Sequence, residues 1–213
     1  MNKKTELGRR GLMLVMSSPS GAGKTTIARE VLKRDSVITM SVSATTRAPR
    51  PGEQEGKDYF FVTEKKYKAM VVAGEFFEHA KVFDNYYGTP RAAVDQELKA
   101  GLDVLFDLDW QGTQQLRENA RDDLVSIFVL PPSTDELARR LTERAQDTED
   151  VVSSRMAKAA DEMSHYIEYD YIFVNNDLEK SVERVRAVLE AERMKRERVV
   201  GLHEFVENMR DQQ

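Results

Sequence analysis

Residues 12–26 confine this chain more than any other stretch. An apolar run at 12–16 leads directly into Ser18-Pro19-Ser20-Gly21-Ala22-Gly23-Lys24-Thr25-Thr26. A buried strand, a Gly-rich loop and then a helix make up the order that a phosphate-binding loop requires. Its backbone N–H groups turn inward around a polyphosphate, and Gly21 and Gly23 permit the close approach. Lys24 reaches the outer phosphates, and the Thr25 hydroxyl is placed to hold Mg²⁺. The amphipathic pattern at 25–33, with Ile27, Val31 and Leu32, predicts a helix whose positive end faces the anion. Ser18 stands where the loop pattern has its first glycine. The alternative is a Gly-rich turn before an ordinary helix. The reading adopted is that the chain binds a nucleoside triphosphate through Ser20, Gly21, Ala22, Gly23, Lys24, Thr25 and Thr26.

At 213 residues, with 40% hydrophobic and 32% charged, the chain suits one packed globular domain with insertions. The absence of cysteine excludes disulfides, thiol catalysis and Cys-ligated zinc, and it agrees with a reducing cytosol. The net charge of −5 argues against broad nucleic-acid binding. Arg9-Arg10 precede an apolar stretch too short for a secretion signal, and no run approaches a membrane span. The expectation is a soluble, cytoplasmic protein.

Four apolar runs, at 12–16, 104–108, 124–130 and 171–174, predict buried strands of a parallel sheet. Helical patterns follow at 25–33, 90–100, 112–119, 134–144, 149–167 and 179–197, giving an α/β fold with helices on both sides. Residues 40–90 break this rhythm with short β-like pieces at 40–43, 59–62, 76–83 and 86–87 around a helix at 64–73. That predicts a small mixed-β insertion. A second, helical insertion lies at 133–168 and is rich in arginine. The expected division is core 1–42, insertion 43–90, core 91–132, lid 133–168, and core with C-terminal helices 169–213. Two insertions beside a triphosphate loop suggest a lid that closes over two nucleotides and excludes water.

Arg47 and Arg50 stand three apart in a loop stiffened by Pro49, Pro51 and Gly52, so both guanidinium groups can meet one dianion. A solvated polar turn is the alternative. Glu78 lies in an otherwise apolar strand. Its alternative is an outward strand carboxylate. The functional reading is guanine recognition, because a carboxylate accepts the paired N1–H and N2–H₂ donors that adenine lacks. The apolar strand 104–108 ends in acid. Asp107 suits the Mg²⁺ shell, while Asp109 either reaches the acceptor nucleotide or caps the next helix. His79, His165 and His203 lack metal or triad spacing and are read as structural.

Together these segments resemble guanylate kinase. The resemblance runs from residue 12 to about 191, through the stretches at 18–26, 41–61, 75–89, 107–112, 139–149, 154–171 and 173–178. It implies a P-loop NTPase core with a GMP-binding insertion and a lid. The implied reaction is Mg²⁺-dependent transfer of the ATP γ-phosphate to GMP, and to dGMP. It implies that Ser43 and Glu78 bind the base with Thr89 and Asp109 beside them. Arg47, Arg50, Tyr59 and Tyr87 would bind the GMP phosphate, with Gly88 at the turn and Glu53 orienting an arginine. Lys24, Arg47, Arg140, Arg144 and Arg155 would carry catalysis, and Thr25 and Asp107 the metal. Asn176 or Asp177 would lie near the adenine. Glu143 and Ala145 flank Arg144 where the family places glycines. The tail beyond Arg193 reads as a charged helix suited to oligomer contacts. Two rival readings remain open: a non-catalytic guanylate-kinase-like binding module, and a P-loop kinase for another acceptor.

Overall fold

The computed structural model describes residues 7–145 and 149–211; side chains at 144, 145 and 149–153 lie outside that description. The short strand β1 (Gly8–Arg9) leads to β2 (Met13–Ser17), every residue of which is buried. Alternate side chains of β2 face opposite sides of the sheet. Leu14 and Met16 pack with Ile27, Val31, Val182 and Leu189 on one side. Met13 and Val15 pack with Val94, Leu98 and Leu116 on the other. A strand apolar on both faces belongs at the centre of a helix-covered parallel sheet, which is where it lies.

After the loop come α1 (Lys24–Arg34) and β3 (Ile38–Met40). The insertion follows with β4 (Ala44–Thr45), β5 (Phe60–Phe61), α2 (Glu64–Val72), β6 (Phe76–Val82) and β7 (Asn85–Pro90). The chain returns to the core through α3 (Arg91–Lys99), β8 (Asp103–Asp107), α4 (Trp110–Ala120) and β9 (Leu124–Leu130). The second, helical insertion holds α5 (Thr134–Ala145) and α6 (Glu149–Ser164). Then come a 3₁₀ turn at His165–Glu168, β10 (Tyr171–Val174), α7 (Leu178–Arg193), β11 (Val199–Val200) and α8 (Leu202–Arg210). The main sheet has the order β10-β9-β2-β8-β3 and is parallel throughout. The insertion forms a mixed sheet of order β5-β4-β7-β6.

The α/β expectation holds, with local differences. The β signal near 40–43 belongs to the core: Ile38–Met40 forms a fifth parallel strand against β8, and the insertion's first strand starts at Ala44. A three-residue edge strand is too short to show periodicity. The helix expected at 112–119 starts at Trp110, because Asp109 caps it. The helix expected at 179–197 ends at Arg193. β1 pairs antiparallel with β11, a contact without a sequence signal.

A buried ion network fixes the sheet end remote from the phosphate loop. Asp103, with no exposed side-chain surface, accepts Arg9 at 2.6 Å, Arg193 at 2.7 Å and the Leu12 N–H at 3.0 Å. Removing one member of such a network strands the remaining charges. Asp103→Ala should therefore lower the unfolding free energy by about 3 kcal/mol. Urea-induced unfolding reads this directly, and an unchanged midpoint would show that the network adds nothing.

Candidate functional site

The phosphate loop is shaped by two glycines with left-handed backbone, Gly21 at φ 92° and Gly23 at φ 98°. L-residues with a side chain rarely adopt this region. Gly23 is doubly constrained, since a Cβ there would meet Asn175 Nδ2 at 2.5 Å. Asn175 is buried at the end of β10. Its Nδ2 donates to the Ala22 carbonyl at 2.8 Å, and its Oδ1 accepts from the Ser181 hydroxyl at 2.8 Å. The loop is thus braced from behind by a residue that sequence reasoning missed in favour of Asn176 and Asp177. Those two line a smaller cleft beside Gly21, Gly23 and Arg140. The strand expected to be buried at 171–174 is a half-exposed sheet edge, and a polar residue closing its apolar run was the one sign of Asn175 in the sequence.

A cleft of about 590 Å³ opens in front of the loop. Ser20, Gly21, Gly23, Lys24, Thr25 and Thr26 line one side, and Asp107, Asp109, Arg140, Glu143 and Glu162 are among the other lining residues. Ala22 is buried and contributes its carbonyl to the bracing. Lys24 forms an ion pair with Asp107 and donates to the Leu108 carbonyl at 3.2 Å. Asp109 does both things that its position allowed. Its Oδ1 accepts the Gly112 N–H at 3.0 Å as the α4 cap, and the residue faces the cleft.

Arg140 reaches the loop from α5. Its Nε donates to Glu136 at 2.7 Å and its Nη1 approaches the Ala22 carbonyl at 3.5 Å. Arg139 and Arg140 together pull the Glu136 carboxyl down to about 2. Arg155 is half-buried on α6 and engaged in interactions of its own. The side chain of Arg144 lies outside the described residues. Glu143 pairs with Arg139 at 2.6 Å, and the helix runs unbroken through it, where a glycine would have loosened the turn.

The second half of the site lies in the insertion. Glu53 takes both ends of the Arg47 guanidinium, at 2.8 and 3.1 Å, and accepts the Arg50 N–H at 2.7 Å. The Arg47 hydrogen bonds hold the Glu53 carboxyl below its ordinary value. Arg47 also lies 5.3 Å above the Tyr59 ring, whose centroid is 6.0 Å from that of Tyr87. Arg50 is exposed beside them. Ser43 is half-buried and its carbonyl accepts the Phe60 N–H at 2.9 Å.

Glu78 is buried, which rules out the outward strand carboxylate. The register of β6 shifts between Phe76 and His79, and such irregularities re-aim side chains. Phe76, Phe77 and Glu78 are consequently all buried in succession. Gly88 lies within β7, paired with Ala44 and His79, rather than at the turn expected of it, and a Cβ there would come within 3.0 Å of the Glu78 carbonyl. The Thr89 hydroxyl donates to Glu78 Oε1 at 2.7 Å. Burial pushes the Glu78 carboxyl upward, and Asp109 adds to the rise. Asp109, which lines the cleft in front of the loop, thus acts on a carboxylate of the insertion.

These two halves, a polyphosphate cradle and a cationic pocket beside a buried acid, match one family. The guanylate kinase family model matches residues 10–192. The chain belongs to the guanylate kinase family. It is 68% identical to a guanylate kinase of Paramagnetospirillum magneticum, over 96% of this chain and 95% of that protein. It is 62% identical to one from Rhodospirillum rubrum, over 95% and 93%. A crystal structure of guanylate kinase from Anaplasma phagocytophilum superposes with TM-score 0.73 at 42% identity, covering 95% of this chain and 96% of that one. This guanylate kinase family member is thus an ATP:GMP phosphotransferase, a nucleoside monophosphate kinase. Among the described residues no helix is long and apolar enough to cross a membrane.

The buried acid carries a measurable cost. The folded protein holds the Glu78 proton more tightly than the unfolded chain, so ionised Glu78 destabilises the fold as pH rises past its folded value. That cost vanishes as pH falls below the ordinary 4.5. Glu78→Gln should therefore be more stable than wild type at neutral pH and equal to it near pH 4 in thermal unfolding. The same variant should lose about 10- to 100-fold in kcat/KM for GMP. A variant equally stable at both pH values and fully active would contradict this assignment.

Proposed function

We propose that the phosphate loop holds ATP, that residues 43–90 hold GMP, and that 133–168 close over both. Ser20, Gly21, Ala22, Gly23, Lys24, Thr25 and Thr26 form the ATP cradle. Arg47, Arg50, Tyr59 and Tyr87 take the GMP phosphate, with Glu53 holding the Arg47 fork in plane. Ser43, Glu78, Thr89 and Asp109 face the base, with Gly88 making room. The observation that carries this reading is Glu78, a buried carboxylate between the cationic pocket and the triphosphate cleft. Its remaining acceptor capacity suits two adjacent donors on guanine, and an adenine would leave it unpaired.

Transfer is in line, without a phosphoenzyme. The attacking GMP oxygen is already anionic, so this chain supplies position and charge rather than a strong base. Arg47 and Arg50 fix the acceptor; Lys24, Arg140, Arg144 and Arg155 neutralise the migrating group. The donor set fits Mg²⁺, since the Thr25 hydroxyl and Asp107 carboxylate are hard oxygen ligands lining one cleft. When held by Thr25 and Asp107, the ion would supply positive charge that offsets charge developing on the transferring phosphate. With its substrates small molecules, the protein fits cytoplasmic purine nucleotide metabolism, with dGMP as a second acceptor. The lysine, the threonine and the arginine–glutamate pair argue against the non-catalytic module.

ADP release from ATP, with GMP, dGMP, AMP and UMP offered in turn, tests the acceptor. GMP and dGMP should turn over, with AMP and UMP slower by at least about 100-fold. Lys24→Met should abolish GMP turnover while thermal unfolding stays cooperative. Equal use of AMP, or an active Lys24→Met variant, would refute these roles.

A further inference from the structure

Three cations of the two proposed nucleotide sites already carry internal carboxylates: Lys24 has Asp107, Arg140 has Glu136 and Arg47 has Glu53. Phosphate can exchange into each of those pairs. A fourth carboxylate is placed differently. Glu162, on the lid helix α6, accepts the backbone N–H of Ser20 at 3.1 Å. It lines the same cleft as Lys24, Thr25, Asp107 and Arg140. Its ion-pair partner is Lys158, a loose 3.9 Å away and 76% exposed, against 14% for Glu162. Among the described residues this loose contact is its one ion pair, so the carboxylate brings negative charge into the cleft that Lys24 and Arg140 also line.

Glu162 is also held there. Three residues on, the His165 ring stacks on Trp110 with centroids 3.6 Å apart and 10° between planes. His165 Nδ1 meets Glu168 at 2.7 Å, and Glu168 accepts from Gln114 at 2.9 Å. Trp110 and Gln114 belong to α4 of the core. The base of α6 is therefore tied to the core through α4, beside the loop that Glu162 contacts.

We propose that Glu162 grades nucleotides by charge, opposing the uncomplexed triphosphate while tolerating its magnesium complex. A free triphosphate meets like charge in a partly enclosed cleft, where screening is weak. A divalent ion on the phosphates cancels part of that charge and most of the repulsion. The inference rests on the reading that this loop holds ATP.

The test is calorimetric titration of ATP, first in EDTA and then in excess magnesium, into the full-length wild type, Glu162→Gln and Glu162→Ala. GMP serves as the control ligand. Glutamine keeps an oxygen for the Ser20 N–H and removes only the charge. Both variants should bind ATP in EDTA about tenfold tighter, bind the magnesium complex within about twofold of wild type, and bind GMP unchanged. If Glu162→Gln matches wild type while Glu162→Ala binds both forms more weakly, Glu162 is a loop anchor and the proposal is overturned. Equal tightening toward both forms overturns it as well. Wild type that binds neither form would overturn the nucleotide reading and this inference with it.

Discussion

At Gly23 the chain must leave a buried parallel strand and enter a helix while its backbone N–H groups face one point in space. A left-handed residue makes that turn, and the Asn175 amide occupies the volume that a side chain would need. Everything on the nucleotide side follows from this packing. The helix α1 starts at Lys24 with its positive end at the cleft, and Lys24 projects onto Asp107 at the tip of the neighbouring strand. Leu137 and Leu141 of the lid lie against Gly21, so the lid's small apolar cluster rests on the loop itself.

The insertion is anchored to the same frame by polar ties beside an apolar one, since Phe77 of β6 packs in the core cluster with Leu116 of α4. The Asn119 side chain donates to the Phe77 carbonyl at 2.9 Å, and the Gln115 side chain accepts the His79 N–H at 3.0 Å. Both come from α4, whose first turn is capped by Asp109. The irregular stretch of β6 that turns Glu78 inward is therefore clasped by the helix that carries the cleft's acidic end. The resulting site stores unfavourable electrostatics, with a buried carboxylate near a second acid. Such groups persist where their task is to meet donors on a ligand.

The sequence made the phosphate loop, the parallel sheet and both insertions legible, because each rests on local signals of glycine spacing, apolar runs and charge. The arginine–glutamate pair at 47 and 53 came from resemblance, and the structure joins them with two hydrogen bonds. What stayed hidden depends on distance along the chain. Asn175 touches Ala22 across most of the sequence, and the polar end of an apolar run is all that marks it locally. Glu162 reaches Ser20 in the same way. The strand at Ile38–Met40 was hidden for another reason: three residues at a sheet edge carry no period, and β8 supplies their pairing.

On the proposed reading, the backbone at Gly23, and not the general basicity of the cleft, shapes the triphosphate site. Separate calorimetric titrations of ATP and GMP into Gly23→Ala test this most directly. The added methyl should weaken ATP binding by more than about 100-fold while GMP affinity stays within about twofold of wild type. Native ATP affinity in that variant, or equal loss of both nucleotides, would contradict it.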